Sequence, residues 1–428
     1  MIGMLFGILA LMLIIGVPIA TSLGVAVVAV MIQTGSSNLY PVVAQRMFTS
    51  VDNFTLMAVP FFILAGNLMG EGGISKRLIG FVQTLLRRQP AALASITTVA
   101  SAFFGAISGS NPATVAAIGG ITIPRMRESG YPSDQAAAVA ASSGTLGVVI
   151  PPSIPMVTYA VTASVSVGTM FLAGIVPGIL LAFALVLTNR VICKKYEPAD
   201  KDAPRMTFKA FAVSFKNAIF ALLMPVIILG GIYGGIFTPT EAAAVSCVYA
   251  LIISMFVFKE LKLNELRGIF IKSAVSSAIV LFVVSLSAPF AWFMTNEGIP
   301  AAIANGVLGA FSNKYIVFLM MNVILLFLGC FLETQSIILL ITPILLPITV
   351  NLGMDPIALG IIIIINTSIG MITPPMAVNL FVASGIAKVS IEGISKRIIP
   401  FLLVEIGVLL ILTYIPQVIL WLPSLMGV

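Results

Sequence analysis

The chain has 428 residues, of which 59% are hydrophobic and only 9% are charged, and this composition excludes a water-soluble domain of that length. It contains no histidine, and its three cysteines lack disulfide or metal-ligand spacing, so they are expected to be packing residues. The net charge of +7 does not indicate nucleic-acid binding, because the basic residues follow the order of the predicted spans. The lipid bilayer is therefore the expected solvent.

Apolar runs long enough to cross a bilayer recur along the chain, since about 20 helical residues cover about 30 Å of hydrocarbon. The predicted spans lie at about 2–16, 18–33, 54–70, 134–165, 170–192, 217–236, 240–258, 272–295, 356–387 and 395–424. Residues 75–88 carry basic residues at both ends and apolar residues between, which predicts a helix on the membrane surface. No small-residue cleavage site follows a span, so no cleaved targeting peptide is expected.

The two halves of the chain repeat each other at an offset of 223 residues. The residues that this offset pairs are Pro124 and Pro347, Gly130 and Gly353, Gly147 and Gly370, Pro151-Pro152 and Pro374-Pro375, and Pro177 and Pro400. Matching Pro and Gly interruptions in two hydrophobic halves are typical of secondary transporters. We therefore predict a first repeat at 1–192 and a second at 217–428, joined by a polar cytoplasmic linker at 193–216.

Two segments are too short for a pair of full spans and predict helix hairpins that enter and leave on one face. The first, at about 91–124, is bracketed by basic residues and is expected to enter from the cytoplasm. Its counterpart at about 315–347 would enter from the opposite face, so the repeats are inverted. Spans 134–165 and 356–387 are interrupted by Gly and Pro, which predicts broken helices. The predicted fold is an all-α polytopic membrane protein, an inverted-repeat ion transporter with two re-entrant hairpins and two broken transmembrane helices.

Ligand binding is expected where the backbone leaves the helix at membrane depth, because freed carbonyls there need protein, water or an ion as partners. One hairpin tip facing one broken span gives a cluster of neutral oxygens, which suits sodium, and the duplication gives two such clusters. The first predicted sodium site consists of Ser108, Ser110, Asn111, Ser143, Gly144 and Gly147. The second consists of Glu333, Thr334, Thr367, Gly370 and Thr373. The candidate substrate contacts are Thr114, Pro151, Ser153, Pro374 and Asn379.

These stretches have a second interpretation, because Ser, Gly, Ala and Thr also let helices pack closely. Four breaks in register across an inverted repeat favour the functional interpretation for the set. Glu333 also has two interpretations. An intramembrane carboxylate is a functional candidate by default, but Glu333 could equally sit at the rim of the second hairpin or cap a broken helix.

The basic residues predict the orientation of the chain. When the spans are counted, all of the 22 Lys and Arg residues except Arg46 and Lys314 fall on one side. The positive-inside rule makes that side the cytoplasm. Both termini are then expected on the outside.

Several motifs together resemble the large membrane subunit of tripartite ATP-independent periplasmic (TRAP) transporters. They are the run Phe61-Phe62-Ile63-Leu64-Ala65-Gly66, the tip Ser108-Gly109-Ser110-Asn111-Pro112-Ala113-Thr114, the break Pro151-Pro152-Ser153, and Thr373-Pro374-Pro375 with Asn379. The resemblance covers nearly the whole chain. It implies an elevator-type fold in the bacterial inner membrane and sodium-driven import of an organic acid anion, either sialic acid or a four-carbon dicarboxylate, with sialic acid favoured. It also implies two partners, a small four-span membrane subunit and a soluble periplasmic binding protein.

Three alternatives to this function remain, and ATP-driven transport is a fourth that the sequence excludes. A self-sufficient sodium-coupled anion carrier would share the fold but need no binding protein. A channel would need an open polar path through the bilayer. A membrane hydrolase is disfavoured, because no histidine, mid-membrane lysine or paired aspartate is present to activate Ser108 or Ser110. ATP-driven transport is excluded by the lack of a phosphate-binding loop.

Overall fold

The computed structural model describes residues 2–199, 207–310, 313–375 and 377–427, and every regular element in these ranges is helical. Six helices are long and apolar enough to cross a membrane, and counting two bent helix pairs as spans brings the number to eight. Many large apolar side chains on these helices face outward, as contact with lipid requires. An all-α multi-pass membrane protein is confirmed.

The first half runs from the first helix to a long helix that ends at Cys193. Its helices are α1 (Ile2–Ile14), α2 (Ile19–Gln33), α3 (Tyr40–Val51), α4 (Ala58–Glu71), α5 (Ile74–Leu86), α6 (Ala92–Ser108), α7 (Asn111–Thr114), α8 (Gly120–Glu128), α9 (Ser133–Gly144), α10 (Leu146–Val149), α11 (Ile154–Ala163) and α12 (Val167–Cys193). A π-helical turn, Val115–Gly119, joins α7 to α8.

The helices of the second half are generally longer, and fewer of them are interrupted. They are α13 (Phe208–Tyr233), α14 (Pro239–Ile252), α15 (Leu263–Asn296), α16 (Ile299–Ala310), α17 (Lys314–Gly329), α18 (Thr334–Asn351), α19 (Pro356–Gly370), α20 (Val378–Ala387), α21 (Ile391–Tyr414) and α22 (Gln417–Leu425). A π-helical turn, Ile253–Val257, extends α14.

Helix boundaries recur at the predicted offset. Helix α9 begins at Ser133 and α19 at Pro356, which are 223 residues apart, and α12 and α21 begin at Val167 and Ile391, 224 apart. The paired elements also touch across the molecule, because α9 packs on α20 and α10 packs on α19. The sequence repeat is thus a repeat of structure, with the two broken segments packed against each other.

Both predicted hairpins are helix pairs with short turns. Helix α6 reverses at residues 109–110 and packs on α7 and α8, and α17 reverses at residues 330–333 and packs on α18. Among the helices of these two hairpins, only α18 has the length and hydropathy of a membrane span. The entry of each hairpin into the bilayer from a single face stays a prediction.

Both predicted broken spans are interrupted helices. The first breaks between α10 and α11, where the segment Ser133–Val149 meets Ile154–Ala163 at a bend of 42°. The second breaks over residues 371–377 between α19 and α20, and residue 376 of this break lies outside the described residues. The Pro151-Pro152 and Pro374-Pro375 bonds are both cis.

Two boundaries differ from prediction for local reasons. Helix α13 begins at Phe208, inside the predicted linker, because the Thr207 hydroxyl accepts a hydrogen bond from Ala210 N at 3.2 Å and caps the helix; residues 200–206 of that linker lie outside the described residues. Helix α15 begins at Leu263, well before the predicted start at 272, because Glu265 accepts a hydrogen bond from Lys262 N at 2.8 Å. Polar residues in its first turns hid this extension from the hydropathy pattern.

The region that matches α15 in the first repeat is bent. Helices α3 and α4 meet at 60° across a short turn, in which Asn53 Oδ1 accepts a hydrogen bond from Thr55 N at 2.9 Å. The sequence predicted only the second of these helices, as the span 54–70. Helix α3 was missed because Gln45 and Arg46 interrupt its apolar pattern.

The predicted surface helix at 75–88 exists as α5. Its apolar side, which includes Leu78 and Val82, is buried, and the helix packs on α6 and α13. Arg77 donates to Glu260 Oε1 at 2.7 Å and lies 3.7 Å from the centroid of the Phe258 ring. Helix α5 therefore packs between α6 of the first hairpin and α13, the first helix of the second half.

Candidate functional site

The tip of the first hairpin is a sharp turn packed against the first broken span. Helix α6 ends at Ser108, and Gly109 has φ +57°, a left-handed conformation that glycine adopts without strain. A Cβ on Gly109 would lie 3.0 Å from Ile154 N at the start of α11. The turn residue and the break are therefore in direct contact, with no room for a side chain between them.

Oxygens of the tip converge beside α10. Ser108 Oγ lies 2.9 Å from Thr114 Oγ1, which donates to Ser110 O at 2.8 Å. Gly147 closes this cluster, since a Cβ there would lie 2.5 Å from Ser110 O and 2.7 Å from Thr114 Oγ1. The structure thus brings together four of the predicted site residues around neutral oxygens.

Replacing Gly147 with alanine is expected to lower the free energy of unfolding by about 1–3 kcal/mol, the usual cost of overpacking a closed core. The new Cβ would press on a backbone oxygen, which cannot rotate away. Thermal unfolding of the purified protein in detergent measures the change. Gly230→Ala is the control, because nothing lies within 4 Å of a Cβ there and helix propensity favours alanine. Equal melting of Gly147→Ala and wild type would show that the tip is not held against α10.

Asn111 is the residue that connects the tip to both broken spans. It is fully buried, its Oδ1 accepts from Val148 N at 3.0 Å, and its Nδ2 donates to Ser368 Oγ at 2.6 Å. The same Nδ2 lies 3.5 Å from Met371 Sδ. One amide therefore holds α10 of the first repeat and α19 of the second together.

The two repeats meet at equivalent positions. Ser368 Oγ donates to Thr145 O at 2.8 Å, and these residues are 223 positions apart, which is the offset of the sequence repeat. A pseudo-twofold relation between the repeats, which the sequence predicts, would bring equivalent residues into contact in this way. The glycines also pack in matching pairs: Gly105 packs on Gly147, and Gly329 packs on Gly370.

The tip of the second hairpin reaches the same point from the other side. Thr334 Oγ1 lies 3.6 Å from Met371 Sδ, so both tips touch this one side chain. Glu333 occupies the N-cap position of α18 but makes no side-chain capping bond, which contradicts the capping interpretation. The Glu333 side chain is exposed to a cavity, although protein surrounds the hairpin tip on which it lies.

This central cavity has a volume of about 440 Å³ and lies between the two tips on one side and α4 and α15 on the other. Its polar lining comprises Asn67, Ser108, Ser110, Asn111, Lys272, Ser276, Glu333, Thr334 and Gln335. Lys272 is the cation of this lining, and its Nζ lies 3.8 Å from Glu71 Oε1. The site therefore combines neutral oxygens, one carboxylate and one ammonium group.

The family that matches this chain is described as "Tripartite ATP-independent periplasmic transporter, DctM component", and the match covers residues 6–418. The chain belongs to this family. The match extends over both repeats and therefore over both hairpins and the central cavity. The large membrane subunit that the motifs resembled is thus the correct identification.

Named relatives of this DctM-family chain differ in substrate. It is 46% identical to an isethionate TRAP transporter permease protein, DctMQ, of Oleidesulfovibrio alaskensis, covering 97% of this chain and 65% of that one. The chain thus spans less than two thirds of that relative's length. It is 40% identical to the C4-dicarboxylate large permease protein DctM of Rhodobacter capsulatus, covering 99% of each. It is 38% identical to the sialic acid large permease protein SiaM of Vibrio cholerae, again covering 99% of each.

Among solved structures, the fold is similar to the YdaH transporter of Alcanivorax borkumensis. The TM-score is 0.58 at 15% identity, covering 86% of this chain and 87% of that one. At this identity the likeness concerns the fold alone. It agrees with the transporter architecture that the DctM-family chain shows.

The Ser143 hydroxyl points away from the first predicted sodium site in this DctM-family chain. Its Oγ lies 2.8 Å from Thr98 Oγ1, which accepts from Asn189 Nδ2 at 2.8 Å. The second repeat has the same arrangement at matching positions. There, Asn366 Nδ2 donates to Asn322 Oδ1 at 2.8 Å, and Asn322 Nδ2 donates to Thr413 Oγ1 at 3.0 Å. These two triads tie each broken span to a hairpin arm and a long helix.

The second predicted sodium site is less converged. The Thr367 hydroxyl donates to Ile363 O and the Thr373 hydroxyl donates to Ile369 O, each at 2.8 Å, so both bond their own segment. Gly370 is covered by Gly329. Only Glu333 and Thr334 of this set line the central cavity.

None of the candidate substrate contacts lines the central cavity. Ser153 is buried and its Oγ has no partner, and Asn379 is buried with Oδ1 unpartnered and Nδ2 donating to Ala141 O at 3.3 Å. Asn379 thus lies against the first broken span, although it belongs to the second repeat. Neither residue lines the central cavity, and nor do Thr114, Pro151 and Pro374.

Sequence reasoning missed Lys272 and Gln335 as cavity residues. Lys272 was assigned to the cytoplasmic end of a span, but it follows nine helical residues of α15, and so lies about 13 Å along that helix at 1.5 Å per residue. There it lines the central cavity and lies beside Glu71. The sequence signal that could have placed Lys272 inside α15 is the capping pair Lys262 and Glu265, which marks the start of that helix.

Proposed function

We propose that this chain is the large membrane subunit of a sodium-coupled importer of a small organic acid anion. The observation that carries the proposal is the meeting of two hairpin tips from opposite repeats over one cavity, with Asn111 and Thr334 both at Met371. Discontinuous helices that meet between inverted repeats are the usual substrate and ion sites of secondary transporters.

The first tip fits a sodium ion. Ser108, Ser110 and Asn111 supply neutral oxygens, and the absence of a side chain at Gly144 and Gly147 lets backbone oxygens approach. The Ser143 hydroxyl is bonded to Thr98, so we propose that this residue contributes through its backbone carbonyl. Bound sodium would supply positive charge at the tip without a permanently buried basic side chain.

The second tip would hold a second sodium ion through Glu333 and Thr334. Thr367, Gly370 and Thr373 would contribute through their backbone carbonyls or the free lone pairs of their hydroxyls, because those hydroxyl protons already have acceptors. Among the described residues, no three His, Cys, Asp or Glu side chains come together. Oxygen coordination, with Glu333 as its one carboxylate, is therefore the ligand chemistry that we propose for these two sites, and it suits sodium.

The central cavity would hold the anion. Its volume of about 440 Å³ lies within the usual range for small-ligand sites, about 300–1,000 Å³. Lys272 offers the positive charge, and Gln335 and Asn67 offer amide groups that can bond carboxylate or hydroxyl oxygens. The relatives' substrates, isethionate, C4-dicarboxylate and sialic acid, are all organic anions. We propose this class as the substrate, with sialic acid no longer favoured within it.

Transport by an elevator movement is part of the proposal. The hairpins and broken spans would move together, and α4 and α15 would belong to the static scaffold. The supporting observation is that the cavity lies at the boundary between these two groups, with tip residues on one side and Asn67 and Lys272 on the other. A ligand held at that boundary changes its access when the two groups slide.

The remaining parts of the transporter would be separate proteins. We propose that a small four-span membrane subunit joins the scaffold in the bacterial inner membrane and that a periplasmic binding protein delivers the anion. The family description, which names a tripartite periplasmic transporter, supports both partners.

Reconstituted uptake tests the proposed function. The chain, its small subunit and its binding protein are placed in proteoliposomes, and uptake of isethionate, a four-carbon dicarboxylate and sialic acid is measured with and without an inward sodium gradient. We expect saturable uptake of at least one anion that requires sodium and the binding protein. Sodium-independent, non-saturating flux would indicate a channel. Sodium-dependent uptake by the chain alone would indicate a self-sufficient carrier.

A further inference from the structure

Glu405 on α21 is a buried carboxyl group that the proposed sodium and substrate sites do not use. Its side chain is fully buried, and its Oε2 has no hydrogen-bond partner. Its Oε1 lies 3.2 Å from Thr145 Oγ1, at the junction of α9 and α10. An ionised carboxylate is strongly disfavoured in such a place unless a cation or several donors compensate it.

No cation compensates Glu405 within the described part of the chain. The helices that pack on α21 are α9, α12, α19, α20 and α22. Their titratable groups are Asp134 on α9 and Arg190 and Cys193 on α12, and α19, α20 and α22 have none. Asp134 Oδ2 is bonded to Arg397 Nε at 2.9 Å, two turns away on α21, and Arg190 donates to Gln89.

The surroundings of Thr145 suit a neutral Glu405. The Thr145 hydroxyl has a single proton, and two acceptor oxygens lie within its reach, Ser142 O at 2.7 Å and Glu405 Oε1 at 3.2 Å. An ionised carboxylate would compete with Ser142 O for that one proton. A neutral carboxyl group has a proton of its own to donate, so both contacts of Thr145 can then be satisfied.

The matching position in the first repeat is apolar. The starts of α12 and α21 are 224 residues apart, and this offset matches Glu405 to Leu181, which is also fully buried; the 223-residue offset of Pro177 and Pro400 would match it to Ala182. An apolar side chain therefore satisfies the equivalent packing site. Glu405 is therefore specific to the second repeat, and it lies at a contact between the two repeats, because Thr145 belongs to the first.

We propose that Glu405 is a proton-binding site buried in the membrane domain and linked through Thr145 to the contact between the two broken spans. Thr145 O accepts from Ser368 Oγ at 2.8 Å, and Ser368 Oγ accepts from Asn111 Nδ2 at 2.6 Å. Loss of the proton would draw the Thr145 hydroxyl from Ser142 O toward the carboxylate. The last turn of α9 would then change at the residue that holds Ser368 and, through it, the first hairpin tip.

Infrared difference spectroscopy tests this site. The purified protein in lipid nanodiscs is titrated from about pH 5 to about pH 9, a range in which exposed glutamic acids, with a pKa of about 4.3, are mostly ionised. We expect a C=O stretching band of a neutral carboxyl group at about pH 7 that Glu405→Gln removes. Glu392→Gln is the matched control, since Glu392 is an exposed carboxylate on the same helix, and it should leave the band unchanged.

Two further variants keep the test decisive. Thr145→Val should shift the band in frequency, because the carboxyl group loses its hydrogen-bond partner. If the Glu405→Gln variant does not fold, Glu405→Leu replaces it, because leucine stands at position 181 of the first repeat. A spectrum that is the same in wild type and Glu405→Gln at about pH 7 would overturn the proposal. So would loss of sodium-induced thermal stabilisation in Glu405→Gln, which would identify Glu405 as a sodium ligand. The readouts need no transport, so failure here leaves the proposed importer standing, and failure of uptake leaves this site testable.

Discussion

Asn111→Ala is expected to abolish sodium-dependent uptake, with a loss of at least tenfold relative to wild type. The side chain is fully buried and joins the first tip to Val148 N and Ser368 Oγ, and it is also a proposed sodium ligand. Removing it leaves buried groups without partners, each at a cost of about 1–3 kcal/mol. The measurement is uptake by proteoliposomes across a series of sodium concentrations.

A binding readout separates the ion site from stability. Sodium should raise the melting temperature of wild type, because a ligand that binds only the folded state stabilises it by about 2.7 kcal/mol at 100 times its dissociation constant. Asn111→Ala should lose this shift. Ser368→Ala breaks the same hydrogen bond from the other side without removing a proposed ligand, so it should keep the shift. Asn351→Ala, at an exposed site on α18, should match wild type. A normal sodium shift in Asn111→Ala would remove the first tip as an ion site.

The breaks and hairpin tips were predictable because their signals are local. Gly109 adopts a left-handed turn, and Pro112 begins the next helix, so this tip can be read from a few residues. The repeat offset then transferred the prediction to the second half, where α17 and α18 reverse at 330–333. Local backbone chemistry and internal duplication thus determined where the helices are interrupted.

Side-chain direction was not predictable, because packing sets it. Ser143 lies in a break-forming stretch, but its hydroxyl is bonded to Thr98 on α6, which is not one of the predicted site residues. Asn379 lies in the second repeat by sequence but bonds to Ala141 O in the first. Both outcomes depend on how α6, α9 and α20 pack, which residue spacing within one segment does not encode.

Contacts between the two repeats were also outside the reach of the sequence. The repeat predicted that each hairpin tip faces a broken span, but not that Thr145 and Ser368 touch. Met371 was not among the predicted site residues, yet both hairpin tips meet on its sulfur. A flexible, polarisable side chain suits an irregular contact of this kind.

Lys272→Glu is expected to raise the KM for the anion by roughly tenfold to a hundredfold, which corresponds to about 1.5–3 kcal/mol, the usual worth of a hydrogen bond to a charged group. Lys272 is the cation of the central cavity, and its replacement by a carboxylate would repel the substrate. Uptake kinetics across a range of anion concentrations measure the change. A KM equal to that of wild type would show that the anion binds elsewhere.

Two variants decide whether this effect comes from the cavity itself. Lys216→Glu makes the same charge change at an exposed position on α13 and should leave KM unchanged, which excludes a general effect of surface charge. Glu71→Gln removes the carboxylate that lies 3.8 Å from Lys272 Nζ and should lower KM or leave it unchanged, because it frees the ammonium group. If Lys272→Glu raises KM but keeps the sodium-induced thermal shift, the anion and the first sodium ion occupy separate sites. That combination is expected here, because Lys272 belongs to α15, whereas the proposed ligands of the first sodium ion belong to the first hairpin tip and to the segment of α9 and α10.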